Sequence, residues 1–186
     1  RDRSPSRGLG DVYKRQDYAF EQARPTDFVH AYSGGYVSYA NQPGCSNAHL
    51  FTYGGKPWLT QYWVRQVKQY AYGGVTPDKG YGGHDEDEGQ MGGVSALMAL
   101  GIFSVTGTES DIPYYDITSP IFDKISITLN PDYYPGKEFV INVHNNSEQN
   151  CYIQKAVLNG NEWQYAQFDH CLLYTSPSPR DGLLSR

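Results

Sequence analysis

Apolar positions in residues 58–70 recur at helical spacing: Leu59, Trp63, Val67 and Tyr70 stand three or four apart. That period predicts one amphipathic helix. Lys56-Pro57 precedes it, and proline suits a first helical position, where its missing N–H has no intrahelical role. Gly73-Gly74 ends the helix. A polar, glycine-rich loop follows, and then four acids, Asp85-Glu86-Asp87-Glu88. A second helix is predicted over 89–103, with Met91, Val94, Leu97 and Met98 on or near one face. Acids at its start suit the positive end of the helix dipole. Residues 17–44 show no period and read as irregular, with a turn at Ser33-Gly34-Gly35.

After Gly107 the period becomes two. Ile125, Ile127 and Leu129 alternate with Ser126 and Thr128. Phe139, Ile141 and Val143 alternate with Val140, Asn142 and His144. Residues 153–158 form a third strand-like run, and Asn159-Gly160 is a strong hairpin turn signal. Helices therefore come first and an antiparallel sheet second. This order predicts two packed units and argues against an alternating α/β fold. No internal repeat is evident.

The ends change the picture. Residues 11–16 are encoded by GAT GTG TAT AAG AGA CAG. Its reverse complement, read one base out of phase, encodes Cys-Leu-Leu-Tyr-Thr-Ser, which is residues 171–176. The antisense relation extends outward on both sides. It resembles a transposon mosaic-end sequencing adapter, so residues 1–16 and 171–186 read as translated adapter and are set aside. Such tails are expected to be disordered or arbitrarily placed.

The 186 residues carry a net charge of −5. The flanks hold seven basic and three acidic residues, leaving 8 basic and 17 acidic, a balance of −9 for residues 17–170. An acidic segment suits a cation or a neutral polar substrate, and no nucleic-acid partner is expected. No stretch has the apolar length of a membrane span. Cys45, Cys151 and Cys171 cannot form a disulfide framework, and free thiols are expected.

The acidic run admits three readings. The first is a solvated helix start. The second, an EF-hand calcium loop, fails on spacing: Gly89 comes one residue early, and Ala96 stands where the bidentate glutamate belongs. The third is a glycosidase site, in which one carboxylate activates water and a distant acid protonates the leaving oxygen. Asp85 and Asp87 flank Glu86, and alternate positions in an extended turn point to similar sides. Two residues so close in sequence form one side of such a site.

The wider string is Gly83-His84-Asp85-Glu86-Asp87-Glu88-Gly89-Gln90-Met91, followed by Ser95-Ala96-Leu97 and Gly101-Ile102-Phe103. Before it come Asn41-Gln42-Pro43 and Lys56-Pro57-Trp58 with Gln61, Trp63, Val64 and Arg65. After it come residues 119–124 (Ser-Pro-Ile-Phe-Asp-Lys), Asn145-Asn146-Ser147 with Tyr152-Ile153-Gln154, and Leu158-Asn159-Gly160. This ordered series resembles glycoside hydrolase family 92, calcium-dependent inverting exo-α-mannosidases, over nearly all of residues 17–170.

The resemblance implies the terminal helices of an (α/α)6 barrel over 17–107 and an antiparallel β region over 108–170. It implies that the N-terminal part of the same enzyme is missing from this chain. Asp85 and Asp87 match the family's paired aspartates, the general base on the attacking water. Asn41 and Gln42 match the segment beside the calcium and the mannose. The expected metal set is Asn41, Gln42 and Asp87, for Ca2+; the expected substrate set is Asn41, Gln42 and Gln90. The substrate implied is a mannose-containing glycan, in a secreted or periplasmic setting. The family's general acid lies in an upstream Glu-Gly-Asn…Trp-Gln segment that this chain does not contain. Cys45 and His84 depart from the family's pattern: the Cys45 change bears on substrate contacts and linkage specificity, and His84 reads as a loop or packing residue. Trp58 and Trp63 read as core rather than as sugar platforms, and His49 and His144 lack metal-ligand spacing. The competing expectation is a non-catalytic carbohydrate- or calcium-binding module.

Overall fold

A computed structural model describes residues 5–23, 37–39, 42–76, 89–107, 110–174 and 183–185. The chain divides into two compact units, residues 1–98 and 99–186. The first is helical: α1 (Pro5–Ala23), α2 (Leu50–Tyr53), α3 (Pro57–Tyr70) and most of α4 (Gln90–Leu100), with short 3-10 turns at Gln42–Gly44 and Asn47–His49.

Residues 17–23 are helical, where an irregular segment was expected. The cause is tertiary. Phe20 is fully buried, 5.0 Å from the Trp63 ring and 5.7 Å from Phe51. The Asp17 carboxylate accepts a 2.8 Å hydrogen bond from Trp63 Nε1. The adapter-like residues 5–16 continue this helix rather than standing disordered.

Helix α3 has the expected extent, with Pro57 in its first turn. Its buried face differs from the expected one. Thr60, Gln61, Trp63, Val64 and Val67 are buried, whereas Tyr70 is exposed. Thr60 can turn inward because its hydroxyl is paired: Oγ1 accepts from Thr52 N–H and lies 3.0 Å from the Thr52 hydroxyl. A buried hydroxyl with partners costs little. Trp63 is core as expected, but Trp58 is exposed, with Lys56 Nζ 4.9 Å from its ring centre.

Helix α4 stops at Leu100, short of the expected 103. Gly101 adopts φ +75°, a left-handed residue that closes a helix, and Ile102–Phe103 form strand β1. Met91, Val94 and Met98 are buried as the spacing predicted.

The second unit is a pair of sheets. One orders β1, β2 (Tyr114–Ile117) and β7 (Gln167–Asp169), all antiparallel. The other orders β3 (Lys124–Thr128), β4 (Glu138–His144), β8 (Leu183–Ser185), β5 (Lys155–Leu158) and β6 (Asn161–Trp163). Among the described residues, the strands within 108–170 pair antiparallel, as expected; the one parallel pairing, β4–β8, involves the tail residues 183–185. Asn159 and Gly160 have φ of +51° and +81°, and Leu158 pairs with Asn161. That is the two-residue hairpin with both turn residues left-handed. Phe139 and Phe168 stack across the sheets at 6.0 Å. Ser119 and Thr118 are buried; the Ser119 hydroxyl donates to Cys151 O at 2.9 Å. Cys45 and Cys151 are buried free thiols, as expected. Among the described residues no helix is long and apolar enough to cross a membrane.

Candidate functional site

Helix α3 closes at Ala71 and Tyr72, whose N–H groups both reach back to Val67 O, at 2.8 and 3.3 Å. Lys68 Nζ donates to Tyr72 O at 2.8 Å, a cation at the negative end of the helix. Burial lowers the Lys68 pKa. The Tyr72 ring is buried. Its hydroxyl donates to Tyr39 O at 2.9 Å and lies 3.5 Å from Met91 Sδ. Met91 is the second residue of α4. The 18 residues between Tyr72 and Met91 therefore leave and return at one contact.

A third strand of chain joins the same point. Cys45 Sγ lies 3.6 Å from Met91 Sδ, and Cys45 N–H donates to Gln42 O at 3.0 Å. Tyr39 is fully buried, and its hydroxyl accepts from Ala48 N–H at 2.7 Å. Its ring meets Tyr72 edge-on at 6.2 Å. Burial raises the Tyr39 pKa well above its ordinary value, with Ala48 N–H opposing, so the phenol is neutral. Next to it, His49 is buried and its pKa falls to about 3; burial is the main cause, and a hydrogen bond with the Ser46 backbone opposes it. This imidazole is also neutral. The anchoring cluster thus offers hydrogen bonds and soft sulfur contacts, while Tyr39 and His49 add no charge.

Of the expected site residues, Asn41, Asp85 and Asp87 lie outside the described residues, as does His84. Gln42 is half-buried in the first 3-10 turn, and Gln90 is exposed at the first position of α4. The Cys45–Met91 contact brings the two glutamine-bearing segments together, since Gln42 bonds to Cys45 and Gln90 adjoins Met91. Among the described residues, no group of three His, Cys, Asp or Glu is placed to hold a metal. Sequence reasoning missed Tyr39 and Tyr72 as anchors. With 17 tyrosines in the chain, a tyrosine before Gly73-Gly74 carries little signal.

The second unit has a polar cluster of its own. The Tyr115 hydroxyl is 3.1 Å from His170 Nδ1, and that of Tyr134 is 3.4 Å from Nε2. Burial, then the neighbouring Tyr134, raises the Tyr115 pKa.

Comparison with known proteins matches residues 8–177 to the glycosyl hydrolase family 92 catalytic domain. Among solved structures, an inverting mannosidase of family 92 from Bacteroides thetaiotaomicron is 35% identical over 82% of this chain, with a TM-score of 0.64. A family 92 alpha-mannosidase from the same organism, solved in complex with mannoimidazole, is 24% identical over 94% of the chain, with a TM-score of 0.70, and shows the shared fold. The chain spans about a fifth of the length of these structures, 18% and 21%. The curated proteins returned no match.

Proposed function

The chain belongs to glycosyl hydrolase family 92, and from that premise we propose that it is part of the catalytic region of an inverting, calcium-dependent α-mannosidase. Its substrate is terminal mannose on glycans. Residues 17–107 are, on this reading, the last helices of an (α/α)6 barrel, and residues 1–16 and 171–186 are translated adapter. The observation that carries the reading is a family match whose bounds, residues 8–177, take in the Asn41-Gln42 segment, the acidic run and strands β1 to β7.

Contacts among the described residues support it: Met91, two places after Gly89, touches Cys45, three places after Gln42, through sulfur at 3.6 Å.

Asp85 and Asp87 form the base side and take the proton from attacking water. The proton for the leaving oxygen comes from a carboxyl group roughly 6.5–9.5 Å away, the separation that leaves room for water and inverts the anomeric centre. Glu21 is the one glutamate between 17 and 85 and lacks the acid's context, so the acid belongs to a further part of the enzyme. Gln90 and Gln42 offer amides to sugar hydroxyls. Calcium fits the donor chemistry. Asn41 and Gln42 offer amide oxygens and Asp87 a carboxylate, the hard oxygen ligands this ion takes. Gln42 is pinned in its turn by the bond to Cys45. When bound there, calcium would engage sugar hydroxyls and favour a distorted ring.

The test uses a full-length enzyme carrying this segment. Asp85→Asn and Asp87→Asn should each lower kcat by about 10²–10⁴, the usual worth of a general base. Retention of the wild-type rate by both would overturn the assignment and favour a binding module. The 186-residue chain alone should release no mannose from an aryl α-mannoside. Calcium-dependent release by it would refute the absent acid.

A further inference from the structure

One hydroxyl in the first unit belongs to two contacts. Tyr72 Oη donates to Tyr39 O at 2.9 Å and lies 3.5 Å from Met91 Sδ. Met91 Sδ also meets Cys45 Sγ at 3.6 Å. These links join two stretches of chain. The stretch 39–45 is held at Tyr39 by Tyr72 and at Cys45 by Met91. The stretch 72–91 is closed by the contact of Tyr72 with Met91. Gln42 stands inside the first stretch, and Gln90 directly precedes Met91 in the second.

The surroundings fix the hydroxyl in place. Tyr72 is buried, and its ring meets that of Tyr39 edge-on. The Tyr39 hydroxyl accepts from Ala48 N–H, which holds that ring at its far end. Lys68 Nζ donates to Tyr72 O and holds the backbone of Tyr72. Two segments joined at one point can turn about it, whereas two separate links set their orientation. The Cys45–Met91 pair is one link, soft and weakly directional. The hydroxyl of Tyr72, bonded to a carbonyl, is the directional one.

We propose that Tyr72 is a positioning residue for the sugar site: its hydroxyl sets the Gln42 stretch against the Gln90 stretch, so that the two amides meet one mannose together. The role rests on the function proposed above, in which Gln42 and Gln90 bind sugar hydroxyls. Tyr72 acts through Tyr39 and Met91 and not by touching the sugar.

The test is Tyr72→Phe in a full-length enzyme carrying this segment, with Tyr70→Phe as control. Phenylalanine keeps the buried ring and removes the hydroxyl. Tyr70 is exposed, so its change removes a hydroxyl outside this core. On an aryl α-mannoside, Tyr72→Phe should raise KM about tenfold, the worth of one misplaced polar contact. Its kcat should stay within about twofold, because misplaced binding groups weaken ground state and transition state alike. Tyr70→Phe should match the wild type. A purely structural role would lower the folded share, and so kcat, at unchanged KM. That result, or wild-type constants, would overturn the proposal. Amide exchange in the 186-residue chain gives a reading that needs no activity. Cys45 N–H, bonded to Gln42 O, and Gly93 N–H, bonded to Gly89 O, should exchange at least about fivefold faster in Tyr72→Phe, while Leu129 N–H, bonded to Lys137 O in the second unit, keeps its rate. Unchanged exchange at Cys45 and Gly93 would also overturn the proposal. A wild-type enzyme without mannosidase activity would sink the proposed function, and this role with it.

Discussion

Gly101 is where α4 becomes β1, and replacing it with alanine separates two costs. Its φ is +75°, and a Cβ built there would stand 2.6 Å from Pro120 N and 2.7 Å from Pro120 Cβ. Neither neighbour can yield easily. Gly101 O accepts from Thr118 N–H at 2.8 Å, and Ala99 O accepts from Ile121 N–H at 3.0 Å, so both chain segments are pinned beside the clash. The left-handed conformation costs a non-glycine residue about 1–2 kcal/mol. Forcing an extra carbon into a packed site costs about 1–3 kcal/mol more. Gly101→Ala should therefore lose about 2–5 kcal/mol. Gly107 is the internal control: its φ is +59°, and nothing lies within 4 Å of a Cβ built there. Gly107→Ala should lose only the conformational part. The assay is urea unfolding followed by the Trp163 indole N–H resonance, since that group donates to Gln167 O at 3.0 Å inside the second unit. With a slope of about 1–2 kcal/mol per molar urea, the Gly101 midpoint should fall at least about 0.5 M further than the Gly107 midpoint. Equal shifts would refute the close approach of Gly101 to Pro120.

Two further outcomes follow from the first unit. His49 takes its proton at about 3 when folded against 6.5 when unfolded, so stability is full above pH 6.5 and falls as pH drops from there towards 3. The contribution is at most about 1.4 kcal/mol per pH unit; urea midpoints against pH measure it, and His49→Leu should flatten that part of the profile. Trp63→Ala should cost about 3–5 kcal/mol as a buried large-to-small change, while Trp58→Ala should stay within about 1 kcal/mol. Thermal melts of both variants decide the contrast, and equal losses would contradict the burial difference.

What the residue pattern revealed depended on whether the cause was local. Proline at the start of α3 and the Asn159-Gly160 turn act through their own dihedral angles, and both stand where the pattern put them. The inner face of β3 follows its alternation, whereas in β4 Val140 is buried together with Phe139 and Ile141. Helix α1 was illegible because the partner of Asp17 lies 46 residues away, in the Trp63 indole, whose ring also packs on Phe20. The face of α3 was misjudged for a related reason: Thr60 is buried by virtue of Thr52, and no period in α3 itself contains that partner. At the candidate site, the sequence offers the acids and the Asn-Gln-Pro segment as candidate chemistry, and Asn41, Asp85 and Asp87 lie outside the described residues. Tyr39, Tyr72, Cys45 and Met91, which join the described flanks, look like ordinary core in the sequence.

That division has a physical logic. Four consecutive carboxylates repel one another, by about 1 kcal/mol per neighbouring pair even in water-like surroundings. A chain bearing them gains nothing by closing on itself unless its ends are held by other forces. The cluster at Met91 supplies such forces without adding negative charge: Tyr39 stays protonated, His49 stays neutral, and the contacts of Tyr72 and Cys45 are to a carbonyl and a thioether. The cation nearest the exit of α3, Lys68, is committed to Tyr72 O. On the proposed reading, a divalent cation sharing these carboxylates would relieve the repulsion and leave an aspartate basic enough to take a proton from water. Arginines paired with those acids would instead offset their charge and weaken the proposed base.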